Sequence, residues 1–161
     1  MANRRFQVVT VKQPNSRMCF ACGLENQSGL RLRFYDDGRE EVFADLNIAS
    51  GHQGYPGWAH GGIIAAILDE TGGRTVMIGN PLRFFMTAKL DIKFRRPVPV
   101  ATPLRAVGRL GKLREHSATA HAEILSAEGE VLAEADLLLT DVPQAAFNPN
   151  DSDRLGWRVY E

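Results

Sequence analysis

Between residues 52 and 70 the chain brings together the kinds of group that acyl chemistry needs. His52-Gln53-Gly54-Tyr55-Pro56-Gly57-Trp58-Ala59-His60-Gly61-Gly62 ends in a glycine pair that opens an apolar run, and Asp69 and Glu70 follow nine and ten residues after His60. A glycine pair at a helix start offers backbone N–H groups at the positive end of the helix dipole, a cradle for an oxygen that gains negative charge. The same pair also serves wherever a loop must turn tightly into a helix. Asp69 sits among Ala65, Ala66, Ile67 and Leu68. A carboxylate in such surroundings is costly unless paired, and groups of this kind act as bases or nucleophiles. Its alternative role, shared with Glu70, is to mark a solvated face. For Glu70 that reading is preferred, because Arg74 lies four residues on and completes an i,i+4 ion pair.

Cys19-Phe20-Ala21-Cys22-Gly23 is a second constellation. Two thiolates at this spacing make half of a tetrahedral zinc site. No second such pair exists, and His116 and His121 fall in a strand pattern, so the sequence assigns no metal. Arg95 and Arg96, with Lys89, Lys93 and Arg105, form a basic cluster suited to phosphates. Alternation also places Lys89, Asp91, Lys93 and Arg95 on one strand face, opposite Leu90, Ile92 and Phe94, as a plain solvated surface would require.

The elements that position these groups follow from periodicity. Leu30, Leu32 and Phe34 alternate with charged neighbours, Val42, Ala44 and Leu46 alternate again, and Asp37-Gly38 between them is hairpin chemistry. Ile63, Ile64, Ile67, Leu68 and Thr71 predict one helix from Gly61 or Gly62 to Val76. Gly72 and Gly73 in its second half either admit a close backbone or fray the helix end. Residues 85–94, 104–113, 117–125 and 131–139 read as four further antiparallel strands. The pattern is α+β, a sheet on one helix.

With 161 residues, 44% hydrophobic and 24% charged, the chain has a soluble globular composition that buries roughly two thirds of its unfolded surface without staples. Its 19 basic and 19 acidic residues leave no cationic excess for nucleic acid or an anionic membrane surface. No apolar h-region follows Arg4-Arg5, no run approaches the roughly 20 apolar residues a bilayer needs, and two cysteines without a leader point to a reducing cytoplasm. Residues 1–142 are expected as one domain with its core at about 29–142. Residues 143–161 are expected as a tail docked by Trp157 and Tyr160.

His60-Gly61-Gly62, the helix through Asp69-Glu70, the run Thr87-Ala88-Lys89-Leu90-Asp91-Ile92-Lys93-Phe94-Arg95-Arg96-Pro97-Val98-Pro99 and the Gly108 strand together resemble the hotdog-fold acyl-CoA thioesterases of the PaaI type. The resemblance covers roughly Cys19 to Val142. It implies a long central helix wrapped by a curved antiparallel sheet, sheet-edge pairing into a homodimer or homotetramer, and active sites at the dimer interface. It further implies that the backbone N–H of Gly62, in a turn shaped by His60, holds the thioester carbonyl, and that Asp69 acts from the partner subunit as base or nucleophile. Thr87 matches a polar strand position facing the reacting centre. Many relatives carry an asparagine six residues before the histidine; Gly54 stands there, so Gln53 or His52 is the substitute. Gly61, Trp58, Arg95 and Arg96 are the expected substrate contacts. No cofactor beyond the CoA of the substrate is implied. The expected activity is thioester hydrolysis on a small or medium acyl-CoA, with an acyl-CoA-binding sensor or a hotdog hydratase/dehydratase as alternatives.

Overall fold

Strands β1 (Val11–Lys12), β2 (Tyr35–Asp36), β3 (Glu41–Asn47), β4 (Phe85–Phe94), β5 (Pro103–Leu113), β6 (Ser117–Leu125) and β7 (Val131–Asp141) join into one antiparallel sheet. Its order is β1-β2-β3-β5-β6-β7-β4. Helix α1 (Gly61–Arg74) lies on one face and touches β3 to β7, and a short helix α2 (Ser152–Leu155) follows the sheet. This is a computed structural model and describes residues 10–161; the expectation about an apolar leader, read on the first residues, lies outside them. The expected α+β architecture is the one found. No helix among the described residues is long and apolar enough to cross a membrane.

The core explains why the helix forms where it does. Ile64, Ile67 and Leu68 are buried against Ala106, Ala118, Ala120, Ala122, Ala133, Ala135 and Leu139. Small residues dominate the sheet side and let the helix sit close to it. A Cβ on Gly108 of β5 would fall 2.7 Å from the Thr71 carbonyl oxygen. The expected close contact at Gly72 is also present, but with a side chain: a Cβ there would meet Leu137 at 2.5 Å. Gly73 faces open space and the helix continues through it to Arg74, ending in a 3-10 turn over Thr75–Met77.

The sequence pattern and the ladder part company at Leu30–Phe34. Burial alternates there as expected, with Leu32, Phe34 and Asp36 inside, yet only Tyr35 and Asp36 pair as a strand. Arg31 has a φ of 52°, and the Leu30 and Leu32 amides donate to Phe20 and Ala21 carbonyls at 2.8 and 2.9 Å. Alternation reports which side faces the core, not which chain supplies the hydrogen bonds. Burial also reaches ahead of residue 29: Gln13, Asn15, Ser16, Ala21 and Cys22 are all enclosed. Asn15 Nδ2 donates to both the Cys22 and Leu32 carbonyls at 2.7 Å. The C-terminal segment docks through Trp157, whose indole N–H donates to the Pro81 carbonyl at 2.9 Å and whose ring stacks edge-on with Phe84.

Strand β4 positions the site. It pairs with β7 on one side and, among the described residues, with nothing on the other. Between Thr87 and Lys89 the register slips by one residue, so Ala88 is extra. The bulge restores phase: Thr87 opposes Leu139, while Leu90 and Ile92 oppose Leu137 and Ala135, all on the helix side.

Gly108→Ala is expected to cost about 1–3 kcal/mol, because the added methyl meets backbone that cannot yield. Gly73→Ala is expected to stabilise by up to about 1 kcal/mol through helix propensity. Urea denaturation of both variants beside wild type measures each.

Candidate active site

Asp69 stands just past the middle of α1, half-buried, with its carboxylate turned towards β4. Thr87 Oγ1 donates to Asp69 Oδ1 at 2.5 Å. One carboxylate oxygen is thereby fixed by a hydroxyl from the sheet, and Oδ2 remains to accept a proton. Both residues line a cavity of about 590 Å³ with Met77, Phe84, Phe85 and Phe147 among its apolar walls. The arrangement is a hydrogen-bonded carboxylate beside an apolar cavity. Phe147 belongs to the C-terminal segment, which the sequence reading gave no part in the site. Its apolar character inside a polar, turn-rich stretch was the one available signal.

The other expected component lies at the N-terminal end of the same helix. His60 is the N-cap of α1 with extended backbone (φ −64°, ψ 140°), and its Nδ1 accepts from the Gly62 N–H at 2.9 Å. An imidazole nitrogen that accepts carries no proton, so the ring is the Nε2–H tautomer. The Gly62 amide, expected as the carbonyl-holding donor, is therefore already engaged by the side chain expected to shape its turn. The Gly61 amide makes no hydrogen bond to the described residues, so the open donor stands one residue earlier. Phe94, at the end of β4, lies beside Gly61, its ring 3.7 Å from where a Cβ there would stand. Phe94 was legible only as a strand residue.

Gly61 and Asp69 are eight residues apart on one helix, roughly 12 Å along its axis at 1.5 Å per residue. Reacting atoms need approach of about 3–3.5 Å. One chain does not bring this amide and this carboxylate to one carbonyl.

The loop before α1 is held by its own polar residues. His52 Nε2 donates to the Ser28 carbonyl at 2.9 Å, and Gln53 Oε1 accepts from the Gly57 amide at 3.0 Å, leaving the Gln53 Nε2 group as a donor. Trp58 is 45% exposed and bridges to Pro99. Arg95 and Arg96 are exposed and ion-paired, to Glu134 at 2.8 Å and Glu130 at 2.7 Å. The basic cluster is thus largely matched by acids of β7 and the turn before it.

Glu70 departs from expectation. Its pair with Arg74 exists, at 2.8 Å, but it is not on a solvated face: the Arg74 side chain is 1% exposed. Arg74 also donates to the Pro14 carbonyl at 2.6 Å and is sandwiched between the Phe34 and Trp157 rings, each 4.8 Å away. The segments before residue 29 and after residue 142 cover this side of the helix, which no local pattern in α1 reveals. Glu70 Oε2 faces Cys19 Sγ at 3.9 Å. The Cys22 thiol, followed by backbone amides, stabilises the Cys19 thiolate and brings its pKa to about 6, although burial and Glu70 oppose this. The Cys22 thiol is pushed up by its bond to Cys19, by burial and by Glu70. Both cysteines are free thiols.

Removing the N-cap acceptor with His60→Ala is expected to cost about 1 kcal/mol in urea denaturation, while His60→Asn, which restores a capping oxygen, is expected to stay within a few tenths of wild type.

The family model described as "Thioesterase superfamily" matches residues 56–133, from the loop before α1 into β7. Acyl-coenzyme A thioesterase THEM4 of Rattus norvegicus is 27% identical over 122 residues, 75% of this chain and 52% of that protein. The chain therefore spans about half the length of that curated relative. A crystal structure of a thioesterase superfamily protein superposes with a TM-score of 0.68 at 28% identity, covering 77% of this chain and 63% of the other. A hypothetical thioesterase from Streptococcus pneumoniae, solved with coenzyme A, shares the fold at a TM-score of 0.58 and 18% identity, over 63% of this chain and 77% of its own. The family match across α1 and the strands that flank it, joined to this structural likeness over most of the chain, gives the protein the hotdog fold and makes it similar to members of the thioesterase superfamily.

Proposed function

We propose that the protein hydrolyses an acyl-CoA thioester at a site assembled from two copies of the chain. The observation that carries this reading is Asp69, held by Thr87 at the wall of an apolar cavity. The activity of the rat relative, at 27% identity, supports the same class of reaction. In this reading Asp69 Oδ2 takes a proton from water as the water oxygen bonds to the thioester carbonyl carbon. Negative charge then gathers on the carbonyl oxygen, where the Gly61 amide of the other copy, at the positive end of its helix, receives it. The carbon–sulfur bond breaks, the CoA sulfur takes up the proton, and the acid is released. Thr87 is a positioning residue, fixing the carboxylate so that Oδ2 faces the water.

The second copy follows from the separation of Gly61 and Asp69 and from the free edge of β4. A ten-residue edge strand exposes a row of backbone donors and acceptors and invites pairing. Pairing of β4 with its counterpart extends the sheet and sets each helix start against the other copy's cavity. A homodimer is the smallest assembly that satisfies this; a homotetramer adds nothing the chemistry requires. The acyl group occupies the cavity lined by Met77, Phe84, Phe85 and Phe147, which bounds it to small or medium size. Arg95 and Arg96 meet CoA phosphates by exchanging their carboxylate partners, Trp58 adds apolar surface near the helix start, and Gln53 Nε2 or His52 takes the place of the asparagine found in many relatives.

Asp69→Asn is expected to lower kcat for thiol release from acyl-CoA by at least about 100-fold with the fold retained, and Gly61→Pro by about 100–1,000-fold. Proline is suited to this test, since it removes one N–H at the first helical position and follows a residue already extended. A panel of acyl-CoAs of rising length checks both. Saturable acyl-CoA binding by wild type without any turnover would leave a binding module instead. Phe147→Ala, by enlarging the cavity, is expected to move the preferred acyl length upward by two or more carbons on the same panel.

A further inference from the structure

The turn at Cys19–Gly23 is built to bring two sulfurs together. The Gly23 amide closes it onto the Cys19 carbonyl at 2.7 Å. Only glycine fits there, since a Cβ would stand 2.4 Å from that carbonyl oxygen and 2.5 Å from the Cys19 nitrogen. Ser16 braces both ends: its Oγ accepts from the Cys19 amide at 3.1 Å and lies 3.5 Å from Cys22 Sγ. Helix α1 then delivers Glu70, so that Cys19 Sγ, Cys22 Sγ and a Glu70 oxygen all lie within 4.8 Å of one another. We propose that Cys19, Cys22 and Glu70 form a binding site for a zinc-class divalent cation, with water at the fourth position on the half-exposed Cys19 side.

Ligand chemistry, charge and outer contacts agree with this assignment. Tetrahedral zinc with bonds of about 2.1–2.3 Å holds its ligand atoms about 3.5–3.8 Å apart, so the three groups need to close by no more than roughly 1 Å. Glu70 and Arg74 already cancel, so a divalent cation held by two thiolates leaves this enclosed cluster without net charge. Arg74 Nε donates to Glu70 Oε1 at 2.8 Å and leaves Oε2 towards Cys19. That is the outer support a ligating carboxylate ordinarily has. The other triplet of comparable spacing, His121, Glu123 and Glu134, carries no sulfur and lies among its own ion pairs with Arg109, Arg95 and Asp136. Bound metal would clamp the segment around residues 16–23 to the helix turn that carries Asp69, independent of any step in hydrolysis.

The test uses the full chain, untagged, reduced and stripped with a chelator, titrated with Co²⁺ and with Zn²⁺. The expected result is one equivalent bound, a thiolate-to-cobalt charge-transfer band in the near ultraviolet, and a thermal midpoint raised by Zn²⁺. Cys19→Ser, a change at a half-exposed position, is expected to remove the band, and Glu70→Gln to weaken Zn²⁺ binding by about 10–100-fold. Wild type binding Zn²⁺ no more tightly than Cys19→Ser would overturn the site. Equal affinity in folded Glu70→Gln would overturn the three-ligand assignment.

Discussion

The seating of α1 against the sheet governs the rest of this structure. At Gly108 the sheet comes within 2.7 Å, measured from where a Cβ would be, of the Thr71 carbonyl, and at Gly72 the helix gives way to Leu137. Two missing side chains, one on each element, set the height of the helix. At that height Asp69 reaches a hydroxyl on β4, and Glu70 reaches a cysteine turn that comes from elsewhere in the chain. Alanine under the helix at positions 106, 118, 120, 122, 133 and 135 is the same constraint spread over three strands. Larger side chains there would lift the helix and open both contacts together.

A helix so placed divides its chemistry between its start and its middle. Its start presents an amide and its middle a carboxylate, and the rise per residue keeps them apart whatever the surroundings. The β4 edge offers the means of joining them across two chains. The Ala88 bulge lets a single strand serve several tasks: Thr87 faces the helix to hold Asp69, Leu90 and Ile92 face it to fill the core, and Phe94 covers the helix start. Strict alternation over the same ten residues would have turned Thr87 outward with Lys89.

The long-period features were legible in the sequence. The helix from Gly61 and the four strands after it followed from periodicity, because each is decided by residues close in the chain. What was not legible depended on distant segments. Arg74 looked like a surface partner for Glu70 until Pro14, Phe34 and Trp157 enclosed it. Leu30–Phe34 showed the alternation of a strand and takes its hydrogen bonds from an irregular loop. The Gly62 amide looked like a free donor because the sequence does not say which way the His60 ring turns. Cys19 and Cys22 offered two ligands, and only the fold sets a third group beside them.

The central claim is that one functional centre takes its carboxylate from one chain and its amide from another. Mixing denatured Asp69→Asn and Gly61→Pro chains, each inactive alone, and refolding them together tests it most directly. Random pairing makes about half of the dimers mixed, and each mixed dimer has one centre with both groups intact, so about a quarter of wild-type thiol release should return. If both groups act within one chain, every centre carries a lesion and the mixture stays as inactive as its parents, which would contradict the account.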